Sequence, residues 1–79
     1  MTTVQTKIKK AIPGHYKTIF LTVHAKSNPT KTVHACTSLF MIDLIPTQLL
    51  TKDHFIQVDQ LHNDKIVDWI EIDLEGLTK

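Results

Sequence analysis

The segment KTIFLTVHAK, residues 17–26, decides the fold class of this chain. Its aliphatic side chains at positions 19, 21, 23 and 25 alternate with polar or aromatic ones. This two-residue period is the pattern of a β-strand with one buried face. The segment SNPTK that follows, residues 27–31, is typical of a turn, because proline fixes its own backbone φ angle. The sequence therefore predicts a strand that ends near residue 26 and then folds back.

A second strand is predicted for residues 32–42, where apolar side chains again recur at alternate positions. A five-residue loop between the two strands would set His24 opposite His34 and Thr22 opposite Cys36. In this register the aliphatic side chains of both strands lie on one side, as burial of one sheet face requires.

An additional strand is predicted upstream, because Val4, Thr6 and Ile8 also alternate. The dipeptide Pro13-Gly14 is typical of a turn. Folding back at this turn would place Ile8 near Ile19 and extend the same apolar face.

The alternation stops between Asp43 and Asp53. The segment IPTQLL, residues 45–50, is instead typical of a turn or of one to two helical turns that begin at the proline. Alternation then returns in residues 55–61 and 65–73, which predicts a second hairpin.

The loop of this second hairpin determines which side chains share a face. A three-residue loop at residues 62–64 places a set of aliphatic side chains together: Ile56, Val58, Ile66, Ile70 and Ile72. A two-residue turn at Asn63-Asp64 would instead set Asp59 opposite Asp68, and like charges directly opposed are unfavourable. The sequence therefore favours the three-residue loop.

The predicted order is strand, strand, strand, short helix, strand, strand. Such a chain is mainly β and forms a small five-stranded antiparallel barrel or a bent sheet with one short helix. The order is similar to that of oligonucleotide/oligosaccharide-binding (OB-like) barrels, and an SH3-like barrel fits nearly as well. The similarity is one of pattern, and no motif ties the chain to a family. We expect residues 1–79 to form a single domain, with disorder at residues 1–3 and 76–79.

Composition limits the classes of protein that fit. With 79 residues, the chain builds only a thin core, which leaves little room for a deep, dry pocket. A single cysteine excludes an intrachain disulfide, and small secreted domains usually carry several. The apolar runs are shorter than those of a signal peptide or a membrane span. We therefore expect a cytoplasmic protein that does not insert into membranes.

The charge is unevenly distributed along the chain. Residues 1–42 carry six lysines and no acid, whereas residues 43–79 carry all eight acids and three lysines. Such asymmetry is typical of a polyanion-binding face or of two complementary faces that associate, including those of a homodimer. The alternative is that the two halves neutralise each other within one folded domain.

Trp69 indicates a site for a protein partner. In the predicted register its side chain points away from Ile70 and Ile72. It shares its face with an aromatic ring and several acids: Phe55, Asp59, Glu71 and Asp73. A tryptophan surrounded by charged residues has the composition of a protein-binding hot spot. The leading prediction is therefore a small protein-interaction module, a regulator or inhibitor that covers a surface of its partner.

Single-stranded nucleic acid is the alternative ligand. The non-core face of the first hairpin would present aromatic rings and imidazoles beside the N-terminal lysines: Phe20, His24, His34 and Phe40, with Lys7, Lys9 and Lys10. Rings on a sheet can stack on bases, and lysines can neutralise phosphates. However, the chain has no arginine and its pI is only about 7.9.

Metal binding is the third hypothesis, because His24, His34 and Cys36 have the chemistry of zinc ligands. Their spacing corresponds to no known zinc motif, so we expect neither a metal nor another cofactor. A thiolate–imidazolium pair of Cys36 and His34 could act as a nucleophile, but no nearby loop supplies an oxyanion site. The sequence therefore predicts that the protein is not an enzyme.

Overall fold

The computed structural model describes residues 3–77, and these form a mainly β domain with an open antiparallel sheet. The sheet has four strands in the order β2-β1-β3-β4. Their bounds are Ile19–Ala25 for β1, Asn28–Cys36 for β2, His54–His62 for β3 and Lys65–Asp73 for β4. The mainly β class is confirmed, but the expectation of five strands or a closed barrel is wrong. Within the described residues, β2 and β4 are the free edges of the sheet.

The predicted first strand is a helix, α1 (Val4–Ala11). Thr3 caps its N-terminus, and the Thr3 side chain accepts a hydrogen bond from the Thr6 backbone N–H at 3.1 Å. Lys9 and Lys10 lie in its last turn, where they complement the helix dipole. Ile8 is fully buried. Its contribution to the core is therefore made from a helix and not from a fifth strand.

One face of the sheet packs beneath the helical segments to form a single core. The predicted second strand ends at Cys36, and a 3-10 helix, Leu39–Leu44, follows it. The single short helix predicted near residue 45 is a three-residue 3-10 helix, Thr47–Leu49. A short α2, Leu74–Leu77, completes the described chain. The largest fully buried side chains come from the helical segments and from the sheet: Ile8, Leu21, Ile42, Ile56 and Leu74.

The register of the first hairpin differs from the prediction by one residue. Leu21 pairs with Cys36, and Val23 pairs with His34. The connection is a two-residue turn that joins Ala25 to Asn28, and irregularities in β2 absorb the extra residues. Because successive side chains alternate, this shift of one residue turns β2 over relative to β1.

The second hairpin has a two-residue turn, so the predicted three-residue loop at residues 62–64 is wrong. His62 pairs with Lys65, and both turn residues have positive φ, 52° at Asn63 and 63° at Asp64. Positive φ at both positions is what a type I′ hairpin turn requires, and Asn and Asp tolerate it. A bulge between Gln60 and Leu61 then shifts the pairing by one residue. The predicted Asp59–Asp68 repulsion is thereby avoided.

The two termini lie partly outside the described residues. Disorder is predicted for residues 1–3 and 76–79, and of these residues 1, 2, 78 and 79 lie outside the described residues. Thr3 caps α1, and Gly76 and Leu77 belong to α2, so these three residues are ordered. Among residues 3–77, no helix has the length and apolar character needed to cross a membrane.

Candidate protein-binding face

The face of the sheet opposite the core, here called the open face, brings together most of the candidate residues. The helices bury their side chains in the single core on the other side. The open face therefore consists of side chains that alternate with the core positions: Phe20, Thr22 and His24 of β1, Phe55, Gln57, Asp59 and Leu61 of β3, and Ile66, Trp69, Glu71 and Asp73 of β4.

Three rows run across this face from β1 through β3 to β4. The first row is Phe20–Asp59–Trp69, the second is Thr22–Gln57–Glu71 and the third is His24–Phe55–Asp73. All five residues predicted to bind a protein partner lie in these rows. So do two of the residues predicted to bind nucleic acid, Phe20 and His24. The predicted partner-binding residues therefore share the open face with Phe20 and His24.

The first row has an acid between two aromatic side chains. Trp69 is 57% exposed and Phe20 is 37% exposed, whereas Asp59 between them is only 6% exposed. Gln57 Nε2 donates a hydrogen bond to Asp59 Oδ1 at 3.0 Å. No described lysine nitrogen lies within 4.0 Å of this carboxylate. Asp59 is therefore a nearly buried acid whose charge is not matched by a cation among residues 3–77.

The third row is organised by a stacked pair of rings. The His24 imidazole stacks on the Phe55 ring, with centroids 5.1 Å apart and planes inclined by 13°. A hydrogen bond of 2.8 Å joins His24 Nε2 and Thr22 Oγ1, and it links the second and third rows. His24 Nδ1 is buried and makes no hydrogen bond within the described chain. Packing and hydrogen bonding therefore fix this part of the open face.

Lys26 partly neutralises Asp73, which ends the third row, and Glu75 of α2. Its Nζ lies 2.9 Å from Asp73 Oδ1 and 3.6 Å from Glu75 Oε2. The hydrogen bond to Asp73 is the main cause that raises the pKa of Lys26. Because these groups are more than one-third exposed, solvent screening keeps the pair weak.

The opposite end of the open face is apolar. The bulge in the β3–β4 ladder pairs Ile66 with Leu61, which places Ile66 on the open face and not in the core. Ile66 is 58% exposed, and its neighbour Val67 is 57% exposed. The prediction that Ile66 shares the core face with the other isoleucines is therefore wrong. Its exposure extends the apolar surface beside Trp69.

The remaining residues predicted to bind nucleic acid lie elsewhere. Lys7 Nζ donates to the Leu77 carbonyl oxygen at 3.1 Å, and Lys9 forms a 2.6 Å ion pair with Asp43. These lysines and the exposed Lys10 belong to α1, in the layer on the other side of the sheet. His34 faces the core side of β2, and Phe40 is 72% exposed in the longer 3-10 helix. The predicted alignment of lysines with the aromatic rings therefore does not form.

The three residues considered as metal ligands are also separated. His24 lies on the open face, whereas His34 and Cys36 face the core side because of the one-residue shift in β2. Cys36 is buried, its Sγ is 3.6 Å from the Met41 carbonyl oxygen, and burial raises the pKa of its thiol. Within residues 3–77, no group of histidine, cysteine, aspartate and glutamate side chains has the arrangement of a metal site.

Two signals in the sequence could have located the missed features. Val4, Ile8 and Ile12 recur every four residues, which is helical spacing, and Ile8 and Ile12 are buried. Asn63-Asp64 is a pair that tolerates positive φ, which favours the tight turn.

No pocket is detected in the described part of the chain, so the candidate site is a surface. No family model, curated protein or solved structure matches this chain.

Proposed function

We propose that this domain is a non-enzymatic protein-interaction module, a regulator or inhibitor that binds a protein partner through the open face. One observation carries the proposal: Phe20 and Trp69 stand exposed in the same row of the sheet, on either side of Asp59. Large aromatic side chains beside acids are typical of the centre of a protein-binding surface.

The exposed part of Trp69 is large enough to contribute substantially to binding. A tryptophan side chain can bury roughly 200 Å². Covering the 57% that is exposed here would contribute about 3 kcal/mol, at about 25 cal/mol per Å². Phe20, Ile66 and Val67 extend this apolar area, and Glu71 and Asp73 supply a polar boundary. This arrangement resembles the apolar centre and polar rim of protein interfaces.

Features of the edge strands favour binding through the face over extension of the sheet. In β2, Pro29 provides no N–H donor and Lys31 adds an exposed charge. In β4, the Trp69 backbone N–H donates to Asp68 Oδ1 at 2.9 Å, so this donor is already used. Bulges interrupt the ladders of both edge strands. Such features oppose the addition of another strand.

The experiment compares partner capture by the unmodified protein, Trp69→Ala and Leu44→Ala. Leu44 is the matched control, because it is 68% exposed but lies in the longer 3-10 helix and not in the three rows of the open face. We expect both variants to keep the circular dichroism spectrum and the NMR dispersion of the folded protein. A partner that the unmodified protein and Leu44→Ala retain, and that Trp69→Ala loses, supports the proposal. Equal retention by all three proteins contradicts it.

Single-stranded nucleic acid is the second candidate, and the specific observation in its favour is the concentration of rings on one face. Phe20, the His24–Phe55 stack and Trp69 could stack on bases. However, the same face carries carboxylates at Asp59 and Glu71, which would repel phosphates. The charge of the open face therefore favours a protein partner.

A further inference from the structure

We propose that the row Phe20–Asp59–Trp69 binds a lysine or arginine side chain of the partner. The proposal rests on the function proposed above and specifies the chemistry of what the open face recognises. The partner is a basic protein segment, with its cation above Asp59 and apolar side chains beside that cation.

The geometry of the row places a nearly buried acid between two exposed rings. Phe20, Asp59 and Trp69 occupy directly opposed positions on three adjacent strands. Adjacent strands lie about 4.8 Å apart, so the backbones that carry the two rings are separated by about 10 Å. Phe20 and Trp69 make no ring contact with each other in the described chain, whose only ring pairs are His15–Tyr16 and His24–Phe55. Phe20 and Trp69 therefore flank Asp59 without stacking on each other.

The electrostatics of the row favour a cation. Asp59 is 6% exposed and has one hydrogen bond, from an uncharged amide, with no described lysine in ion-pair range. A nearly buried carboxylate without a counterion is unfavourable, and a cation brought by the partner would compensate it. The faces of Phe20 and Trp69 also attract a cation through their ring quadrupoles. All three side chains of the row thus favour the same charge.

The surroundings of the row indicate what flanks the cation. Glu71 is exposed in the adjacent row and adds negative potential. On the other side, Ile66 and Val67 are more than half exposed and offer an apolar surface. A segment in which a basic residue stands beside a leucine-like residue would complement both parts. Charge complementarity therefore selects a basic and apolar partner segment.

The test uses three acetylated and amidated hexapeptides in which leucine alternates with lysine, glutamine or glutamate. Each is titrated into the ¹⁵N-labelled, full-length protein, and the Trp69 indole N–H and the backbone amides of the three rows are followed. We expect the lysine peptide to bind at least about tenfold more tightly than the glutamine peptide, since one charged contact is worth roughly 1.4 kcal/mol. The glutamate peptide should bind least.

Two variants connect this preference to Asp59. Asp59→Asn keeps an oxygen that can accept the Gln57 hydrogen bond but removes the charge, so it should abolish the lysine preference. Asp64→Asn removes an exposed charge from the hairpin turn, outside the three rows, and should leave the preference intact. If Asp59→Asn does not fold, the comparison of the three peptides on the unmodified protein still decides the question.

The outcomes separate this proposal from the function on which it rests. Equal binding of the lysine and glutamine peptides, with shifts on the open face, would overturn the cation site and leave the interaction face standing. A lysine preference that persists in Asp59→Asn would also overturn the cation site. Shifts confined to α1, or no shifts with any peptide, would overturn both.

Discussion

Asp59 lies directly opposite Trp69 in the β3–β4 ladder. The bulge near the turn creates this pairing, because one extra residue in β4 moves Asp68 out of line with Asp59. The same bulge exposes Ile66 beside Trp69. A local irregularity therefore both removes a repulsion between two acids and assembles the surface to which we assign binding.

The helical identity of α1 predicts a large cost for truncating Ile8. Ile8 is fully buried in the core, and Ile8→Ala should lower the free energy of unfolding by about 3 kcal/mol. Lys10→Ala, in the same helix but exposed, should change it by less than about 0.5 kcal/mol. Urea denaturation followed by circular dichroism measures both. Equal small effects would mean that α1 does not pack as described.

The burial of Tyr16 predicts a specific loss of stability at high pH. Burial is the main cause that raises the pKa of Tyr16, and the nearby carboxylate of Asp68 adds to it, although the hydroxyl makes no hydrogen bond in the described chain. The folded state therefore holds the phenol proton more tightly than the unfolded state. The stabilisation is complete below the unfolded pKa of about 10 and is lost as pH rises through the folded pKa.

Two measurements test this behaviour of Tyr16. Because the chain has one tyrosine, absorbance near the tyrosinate band reports the ionisation of Tyr16 alone. Tyr16→Phe removes the ionisable group, so the unmodified protein should lose stability relative to the variant as pH rises above about 10. A Tyr16 pKa at or below its ordinary value would contradict the described burial.

Cys36 should be an unreactive thiol in the folded protein. It is buried and its pKa is raised by burial, so both access and thiolate formation are suppressed. A disulfide reagent at pH 8 should modify it slowly in buffer and rapidly in denaturant. Since Cys36 is the only cysteine, the modified fraction is read directly by mass spectrometry. Modification as fast as that of a small free thiol would contradict the placement of β2.

The alternative ligand is tested by titrating the protein with mixed single-stranded oligonucleotides at low and moderate salt. We expect little change in the amide spectrum, because the open face carries carboxylates and the α1 lysines lie in the other layer. Salt-sensitive shifts at Phe20, His24 and Trp69 would instead support nucleic-acid binding, since counterion release weakens such complexes steeply with salt.

The sequence predicts those parts of the fold that depend on burial alone. Alternating side chains located β1, β3 and β4, and placed Trp69 on the face opposite Ile70 and Ile72. The set of predicted partner-binding residues therefore lies on one face.

Alternation alone does not predict which face a side chain occupies where the strand register shifts by one residue. Alternation cannot show where a bulge inserts a residue, so His34 and Cys36 were assigned to the wrong face. Likewise, Val4 and Ile8 satisfy both a strand period and a helix period over so short a segment. The hydrogen bond of the Thr3 side chain to the Thr6 N–H caps the N-terminus of the helix.

Site-specific photo-crosslinking in cells tests the central claim most directly. A photoreactive amino acid replaces Glu71 on the open face or, as the control, Lys10 on α1, and both positions are exposed. We predict that the Glu71 position crosslinks to one defined protein, that Trp69→Ala abolishes this product, and that the Lys10 position does not form it. A product formed from Lys10 and not from Glu71, or one unaffected by Trp69→Ala, would contradict binding through the open face.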